Sequence, residues 1–276
     1  MVVQHNMQAV NTNRMLGQNV KAVQKSTEKL SSGYQVNRAA DDAAGLSISE
    51  KMRNQIRGLN QAVKNAEDGI SLIQTAEGNM NEIHSILQRM GELAIKARND
   101  VNATEDRQTI QDEISQLKQE ICSITTKAEF NGTKLLNGNM ADGKNLQVGA
   151  NQGELLKIKI SGTSLKKLGL TTTSVKTAKS ASAAIKQIQC AIKIVSAQRS
   201  LLGAIQNRLE YTINNLENYS ENLTSAESQI RDTDMATEMV NYSKNNILQQ
   251  AAQSMLAQAN QSNQGVLSLL QLFHNY

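Results

Sequence analysis

The sequence predicts a mainly α protein: a long antiparallel helical bundle, coiled-coil in character, built from both chain ends, with one or two small β-hairpins at its outer end. Three observations carry this expectation. Pro is absent from the 276 residues, where average usage near 5% would supply roughly 14, so no helix is interrupted by a missing N–H. Apolar residues make up 39% and aromatic residues 3%, which suits narrow helical seams better than a broad globular interior. The apolar residues recur at spacings of three and four over long stretches, whereas period-two alternation is confined to the middle.

Residues 1–29 read as an amphipathic helix, with Leu16, Val20, Val23, Thr27 and Leu30 on one side and Arg14 the one charged residue before Lys21. Ser31-Ser32-Gly33 ends it, because Ser competes for backbone hydrogen bonds and Gly tolerates the left-handed region. Asp41 and Asp42 suit a helix N-terminus, while Ser47 with Glu50 offers a capping box one turn later. The main helix runs from about Asp42 to Arg98, roughly 85 Å. Its seam is Met52, Ile56, Leu59, Val63, Ala66, Ile70 and Ile73, then shifts phase near Thr75–Gly78 to continue through Ala76, Met80, Ile83, Leu87, Met90 and Ala94. Such a seam needs a partner helix.

Asn99-Asp100-Val101-Asn102 ends that helix, and Thr104 opens the next, which reaches about Lys127. A connection this short makes the two antiparallel neighbours. Phe130-Asn131-Gly132 stops the helical pattern. Within 130–177 a Gly-containing turn at Asn151-Gln152-Gly153 precedes Lys157-Ile158-Lys159-Ile160, which alternates with period two. Helix resumes near Ala178. Its regular seam, Leu202, Ile205, Leu209, Thr212, Leu216, Tyr219, Leu223, Ala226 and Ile230, is the partner the first long helix needs. Arg231-Asp232-Thr233-Asp234 marks a joint before a last helix from about Met235. From Asn245 to Tyr276 that helix carries no Asp, Glu, Lys or Arg, and half of residues 245–264 are Gln or Asn. An uncharged amphipathic helix of this kind is marginal alone. The expected domains are therefore an inner one from 1–32 plus 235–276 and an outer helical rod from 42–230, with the hairpin region at about 130–177.

The net charge of +4 is modest, and no Lys/Arg run is interleaved with aromatics, so a solvated mixed-charge surface is expected and nucleic acid is not. The N-terminus lacks the pattern of a cleaved secretory signal, and no stretch of about 18 apolar residues predicts membrane insertion. Cys122 and Cys190 read as buried structural thiols, with their pairing left open by spacing. His5, His84 and His274 form no zinc motif, there is no phosphate-binding Gly loop, and no catalytic, cofactor or metal site is expected. The chain reads as a non-enzyme.

Leu30-Ser31-Ser32-Gly33, Asn37 through Leu46 (NRAADDAAGL) and Glu50-Lys51-Met52 resemble the N-terminal signature of bacterial flagellin. Phe130 through Leu136 and Leu146 through Asn151 are similar to further flagellin segments, and the resemblance covers residues 1–150 and 178–272. The resemblance implies a short-form flagellin without large outer domains. Such a subunit polymerises with itself into the flagellar filament outside the cell, and is exported uncleaved through the flagellum's type III channel. It implies as partners an export chaperone at the C-terminal helix, the filament cap, and hook-junction proteins, and a hollow filament whose lumen Gln and Asn within 245–264 would line. The helix-pairing seam residues are Met52, Ile56, Leu59, Val63, Leu202, Ile205, Leu209, Leu216, Leu223 and Ile230. Gln88 through Ala94 (QRMGELA) is similar to the flagellin segment bound by Toll-like receptor 5, which implies contacts by Arg89, Leu93 and Glu113. Gly91 departs from the family's usual Arg and implies weaker binding. The alternatives are a hook–filament junction protein, which shares the terminal architecture, and a coiled-coil adhesin, which would leave the uncharged termini unexplained.

Overall fold

The computed structural model describes residues 6–274, with side chains described for 6–262, 264 and 265. Five helices and two hairpins follow in order: α1 (Met7–Ser32), α2 (Ala43–Arg98), α3 (Thr104–Lys127), β1 (Glu129–Phe130), β2 (Thr133–Lys134), β3 (Lys144–Gln147), β4 (Leu155–Ile158), α4 (Ala178–Arg231) and α5 (Met235–His274). Contacts divide the chain into two compact units, Met1–Asn54 with Asn222–Tyr276, and Gln55–Glu221.

In the first unit, α1 and α5 pair antiparallel: Asn6 Nδ2 donates to the Ala259 carbonyl at 2.9 Å, while Lys29 lies 3.9 Å from Glu238 near the other end. Asn6 also caps α1, its Oδ1 accepting from the Ala9 N–H at 3.0 Å. Gly33, at φ 75°, closes α1 in the left-handed conformation that a Cβ would penalise. Ser26 is buried where the spacing had placed Thr27, which is exposed. Asp42 starts α2 by accepting from the Ala44 and Gly45 N–H groups at 3.0 and 2.9 Å, so the helix begins there and not at Ser47. The linkers on either side are stitched together. The Gln35 N–H donates to the Arg231 carbonyl (2.7 Å) and the Thr233 N–H to the Gly33 carbonyl (3.0 Å). Tyr34 is flanked by the guanidinium groups of Arg231 and Arg53, 4.8 and 5.7 Å from its ring centre.

In the second unit, α2 and α4 run antiparallel. Asn60 meets Ser220, Glu77 meets Arg199, and Gly91 approaches Ile188. The buried stripe of α2 is Leu59, Ala62, Ala66, Gly69, Ile73, Ala76, Met80, Ile83, Leu87, Met90, Ala94 and Ala97, an unbroken three–four alternation. The expected phase shift near Thr75–Gly78 is absent. Large residues at Val63 and Ile70 suggested a different early seam, but small Ala62 and Gly69 occupy the stripe, because the β3–β4 hairpin packs there as well. A Cβ on Gly69 would stand 2.6 Å from Leu146 Cδ2 and 3.5 Å from Leu209 Cδ1, and one on Gly58 would stand 2.9 Å from Ala150 Cβ. Helix α3 closes the bundle with Ile110, Ile114 and Ile121, and α4 adds Ala181, Ala184, Ile188, Ala191, Val195, Leu202 and Leu209.

The hairpin region caps this core with Leu135, Leu136, Met140, Leu156, Ile158, Ile160, Leu168, Leu170 and Val175. Asn131 and Gly132, at φ 46° and 74°, make the two-residue β1–β2 turn, as primed hairpin turns require. β3 and β4 pair antiparallel with Lys144 opposite Ile158 and Gln147 opposite Leu155. Among the described residues no helix is long and apolar enough to cross a membrane.

Candidate functional site

Two surfaces stand out, one in each unit. In the first unit, α5 turns small and polar residues toward α1. Ala252 and Ala259 are each 8% exposed, and Asn245, Asn246, Gln249 and Leu256 are half-buried around them. Larger apolar side chains flank this side or lie across the helix from it. Met239, Val240, Ile247, Leu248 and Met255 are exposed, Ile247 to 66%. Met239, Val240, Ser243, Lys244, Ile247 and Leu248 border a recess of about 500 Å³. Helix α1 likewise exposes Met7, Val10 and Met15. A helix that leaves this many large apolar side chains exposed beside its intramolecular contact is built to bury them elsewhere. The apolar run Val266–Leu272 lies outside the described side chains.

In the second unit, Arg89 on α2 reaches Glu113 on α3, with Nη2 at 2.9 Å and Nε at 3.1 Å from the same carboxylate oxygen, and also approaches Glu92 at 3.3 Å. Both acids are exposed. They border a polar recess of about 480 Å³ together with Lys96, Asn102, Asp106 and Thr109. Leu93 is 3% exposed, so it forms the floor of this recess and does not project from it.

The seam residues fall into two groups. Leu59, Leu202 and Leu209 are buried, whereas Met52, Ile56, Val63, Ile205, Leu216, Leu223 and Ile230 are half-buried. The α2–α4 seam opens where the 148–154 turn wedges in, leaving a recess of about 560 Å³ lined by Leu59, Val148, Ala150 and Leu216. Tyr219, which the heptads placed inward, is exposed. Cys122 and Cys190 are exposed free thiols on α3 and α4; the buried positions belong to their neighbours Ile121 and Ala191. Among the described residues no cluster of three or more His, Cys, Asp or Glu could hold a metal ion.

Comparison with known proteins decides what these surfaces belong to. The model of the bacterial flagellin N-terminal helical region matches residues 3–141, and that of the flagellin C-terminal helical region matches residues 185–270. Flagellin of Halalkalibacterium halodurans is 53% identical over 272 residues, covering 98% of this chain and all of that protein. The chain belongs to the bacterial flagellins. Bacillus subtilis flagellin is 50% identical, again over 98% of this chain and all of the relative. The Bacillus cereus flagellin crystal structure shares a TM-score of 0.50 at 32% identity, covering 55% of this chain and 88% of that one. A flagellar hook-associated protein of Vibrio parahaemolyticus overlays with a TM-score of 0.60 over 70% of this chain and all of that one, but at 12% identity it shares the fold alone.

As a flagellin, this chain is a structural subunit of the flagellar filament, an extracellular assembly of many copies. The outward stripe of α5 then has an obvious class of occupant. Periodicity had located the apolar residues of α5 but not their direction. Ala252 and Ala259 take the most buried positions of α5 and leave the larger side chains exposed around them.

Proposed function

We propose that copies of this flagellin polymerise by burying the outward apolar stripe of α5 and the exposed Met7, Val10 and Met15 of α1 against neighbouring copies. Residues 1–32 with 235–276 form the inner layer of the filament and residues 42–230 the outer rod. Exposed Gln250, Gln253, Asn260 and Gln261 suit a channel along which unfolded subunits pass without strong charged contacts. The observation that carries the reading is the exposure of Met239, Val240, Ile247, Leu248 and Met255 on a helix already paired through Ala252 and Ala259. Fully burying one such side chain is worth about 1.5–3 kcal/mol, so the stripe supplies a substantial part of an intersubunit contact. Before assembly it is also the surface an export chaperone would cover. The filament cap and hook-junction proteins present the same kind of end-to-end partner. Monomer released outside the cell is recognised by Toll-like receptor 5 through Arg89 and Glu113, with Leu93 supporting the helix beneath them.

Replacing Ile247 and Leu248 together by Asn tests the assembly face. Monomer helicity by circular dichroism should match the parent, because both side chains are exposed in the monomer, while electron microscopy after seeding should show no filaments. Filaments of normal length and yield from the double variant would refute the assignment.

A further inference from the structure

Charge is not spread evenly along this chain. Residues 130–209 hold twelve Lys and Arg against two carboxylates, Asp142 and Glu154, although the whole chain carries only +4. Ten of the twelve are lysines. Glu154 is engaged within its own turn, accepting from the Asn151 backbone N–H and Nδ2 at 3.1 Å each. Lys134 pairs with Glu129, and Arg199 lies 3.6 Å from Glu77. Among the described residues Lys144, Lys157, Lys159, Lys166 and Lys167 have no such ion-pair partner.

The densest part is made by β4 and the chain just after it. Leu156, Ile158 and Ile160 are buried, so the period-two pleat puts Lys157, Lys159 and Ser161 on the opposite, outer side. Gly143, at φ +81°, lies against both lysines: a Cβ there would stand 2.6 Å from Lys157 Cε and 2.8 Å from Lys159 Cγ. Lys167 joins them, its ammonium donating to Ser161 Oγ at 3.0 Å. Two lysine stems thus lie over a bare glycine, and a third lysine is tied to the hydroxyl two residues further along the same side. Along α4, Lys179, Lys186 and Lys193 repeat every seventh residue, about 10.5 Å apart, and are exposed while Ala184, Ile188 and Ala191 are buried.

We propose that the Lys157–Lys159–Lys167 cluster binds an anionic polysaccharide, one bearing carboxylate or sulfate groups. Nucleic acid is disfavoured because residues 131–210 contain no Phe, Tyr, Trp or His, which leaves no platform on which bases could stack. The cluster also lacks the guanidinium forks that read phosphates and base edges bidentately. A bilayer is disfavoured because Leu155 is the single exposed large apolar side chain described between residues 130 and 193, too little for interfacial insertion. Flexible ammonium groups instead suit separated anionic groups on a hydrated chain, and the Ser161 hydroxyl can exchange hydrogen bonds with sugar hydroxyls. Each contact is weak and screened by salt. In a filament the cluster repeats on every copy, so a long polyanion gains avidity; this last step rests on the assembly reading, the monomer site does not.

The test titrates full-length monomer with dextran sulfate, polygalacturonate and neutral dextran, beside duplex DNA and vesicles of anionic phospholipid. The two charged polysaccharides should bind, with affinity falling about tenfold or more between 50 and 200 mM salt, and neutral dextran should not. If only one of the two binds, it identifies the anionic group and the proposal stands. The K157Q/K159Q/K167Q triple variant should lose about tenfold in affinity, while K21Q/K51Q/K64Q, with the same change in net charge, should lose less than twofold. Equal losses in the two variants, no binding of either charged polysaccharide, or tighter binding of DNA or vesicles would each overturn the proposal. Preformed filaments should bind at least tenfold more tightly per subunit than monomer. Weaker binding by filaments would place the cluster between copies and overturn the proposal for the assembled protein. Failure to form filaments would remove that arm alone and leave the monomer titration decisive.

Discussion

Gly91 lies in the middle of α2, two residues from Arg89, where an interior glycine costs a helix about 1 kcal/mol relative to Ala. A Cβ at this position would meet only Ile188 Cγ2, at 3.8 Å, so a side chain fits without displacing α4. Gly91→Arg should therefore raise the unfolding midpoint and tighten receptor binding by adding a cation beside the Arg89 cluster, whereas Arg89→Ala should weaken binding. The Arg89 ion pairs are exposed, and such pairs contribute little to folding, so Arg89→Ala should leave the melting midpoint nearly unchanged. Titration of receptor ectodomain against the three monomers, with melts alongside, separates the two effects; equal affinities would sink the receptor assignment. Arg89 and Glu113 lie 24 positions apart, and spacing alone would have left both as ordinary surface charges. Leu93, drawn from the same resemblance, turned out to face inward, because the return of α3 along α2 covers it.

Helix α5 depends on its first turn. The Thr237 hydroxyl, followed by the Thr237 and Ala236 backbone N–H groups, holds the Asp234 carboxyl below the usual carboxylate range. In the joint between α1 and α2, Lys25 and the Arg38 N–H do the same for Asp41. A carboxyl whose folded pKa is depressed favours folding above its unfolded value, near 3.9, and loses that contribution as pH falls through the lower folded value. Thermal melts of monomer should thus be flat above about pH 5 and fall steeply below about 3.9, with Asp234→Ala less stable at neutral pH and less sensitive to acid. An unchanged acid response in that variant would remove Asp234 from the account. The caps Asp42 and Asp234 were legible as Asp before a periodic run. The stripe of α2 was not, because whether Ala62 or Val63 faces inward depends on a hairpin more than 80 residues further along the chain.

Eight of the nine described methionines sort by unit, and the ninth, Met52, is half-buried. Met7, Met15, Met235, Met239 and Met255 are exposed in the α1–α5 unit, whereas Met80, Met90 and Met140 are buried in the other. Exposed thioethers are oxidised first by peroxide, to polar sulfoxides that disrupt apolar interfaces. Mass spectrometry after mild peroxide treatment should show the first five modified in monomer and protected in filaments, with the other three protected in both. Oxidised monomer should polymerise poorly. Equal modification of the five in monomer and filament would contradict their burial between copies.

What the sequence by itself determined is what depends on near neighbours: five helices from three–four periodicity and caps, the hairpins from turn residues and alternation, and the family from its terminal motifs. Tertiary structure decided direction and convergence. It left the large apolar residues of α5 exposed, set small residues of α2 beneath a hairpin, exposed both thiols, and gathered lysines that a net charge of +4 had averaged away. The reason is that a helix offers several faces of similar hydrophobicity. Which of them is buried depends on partners distant in sequence whose close approach only the folded chain defines.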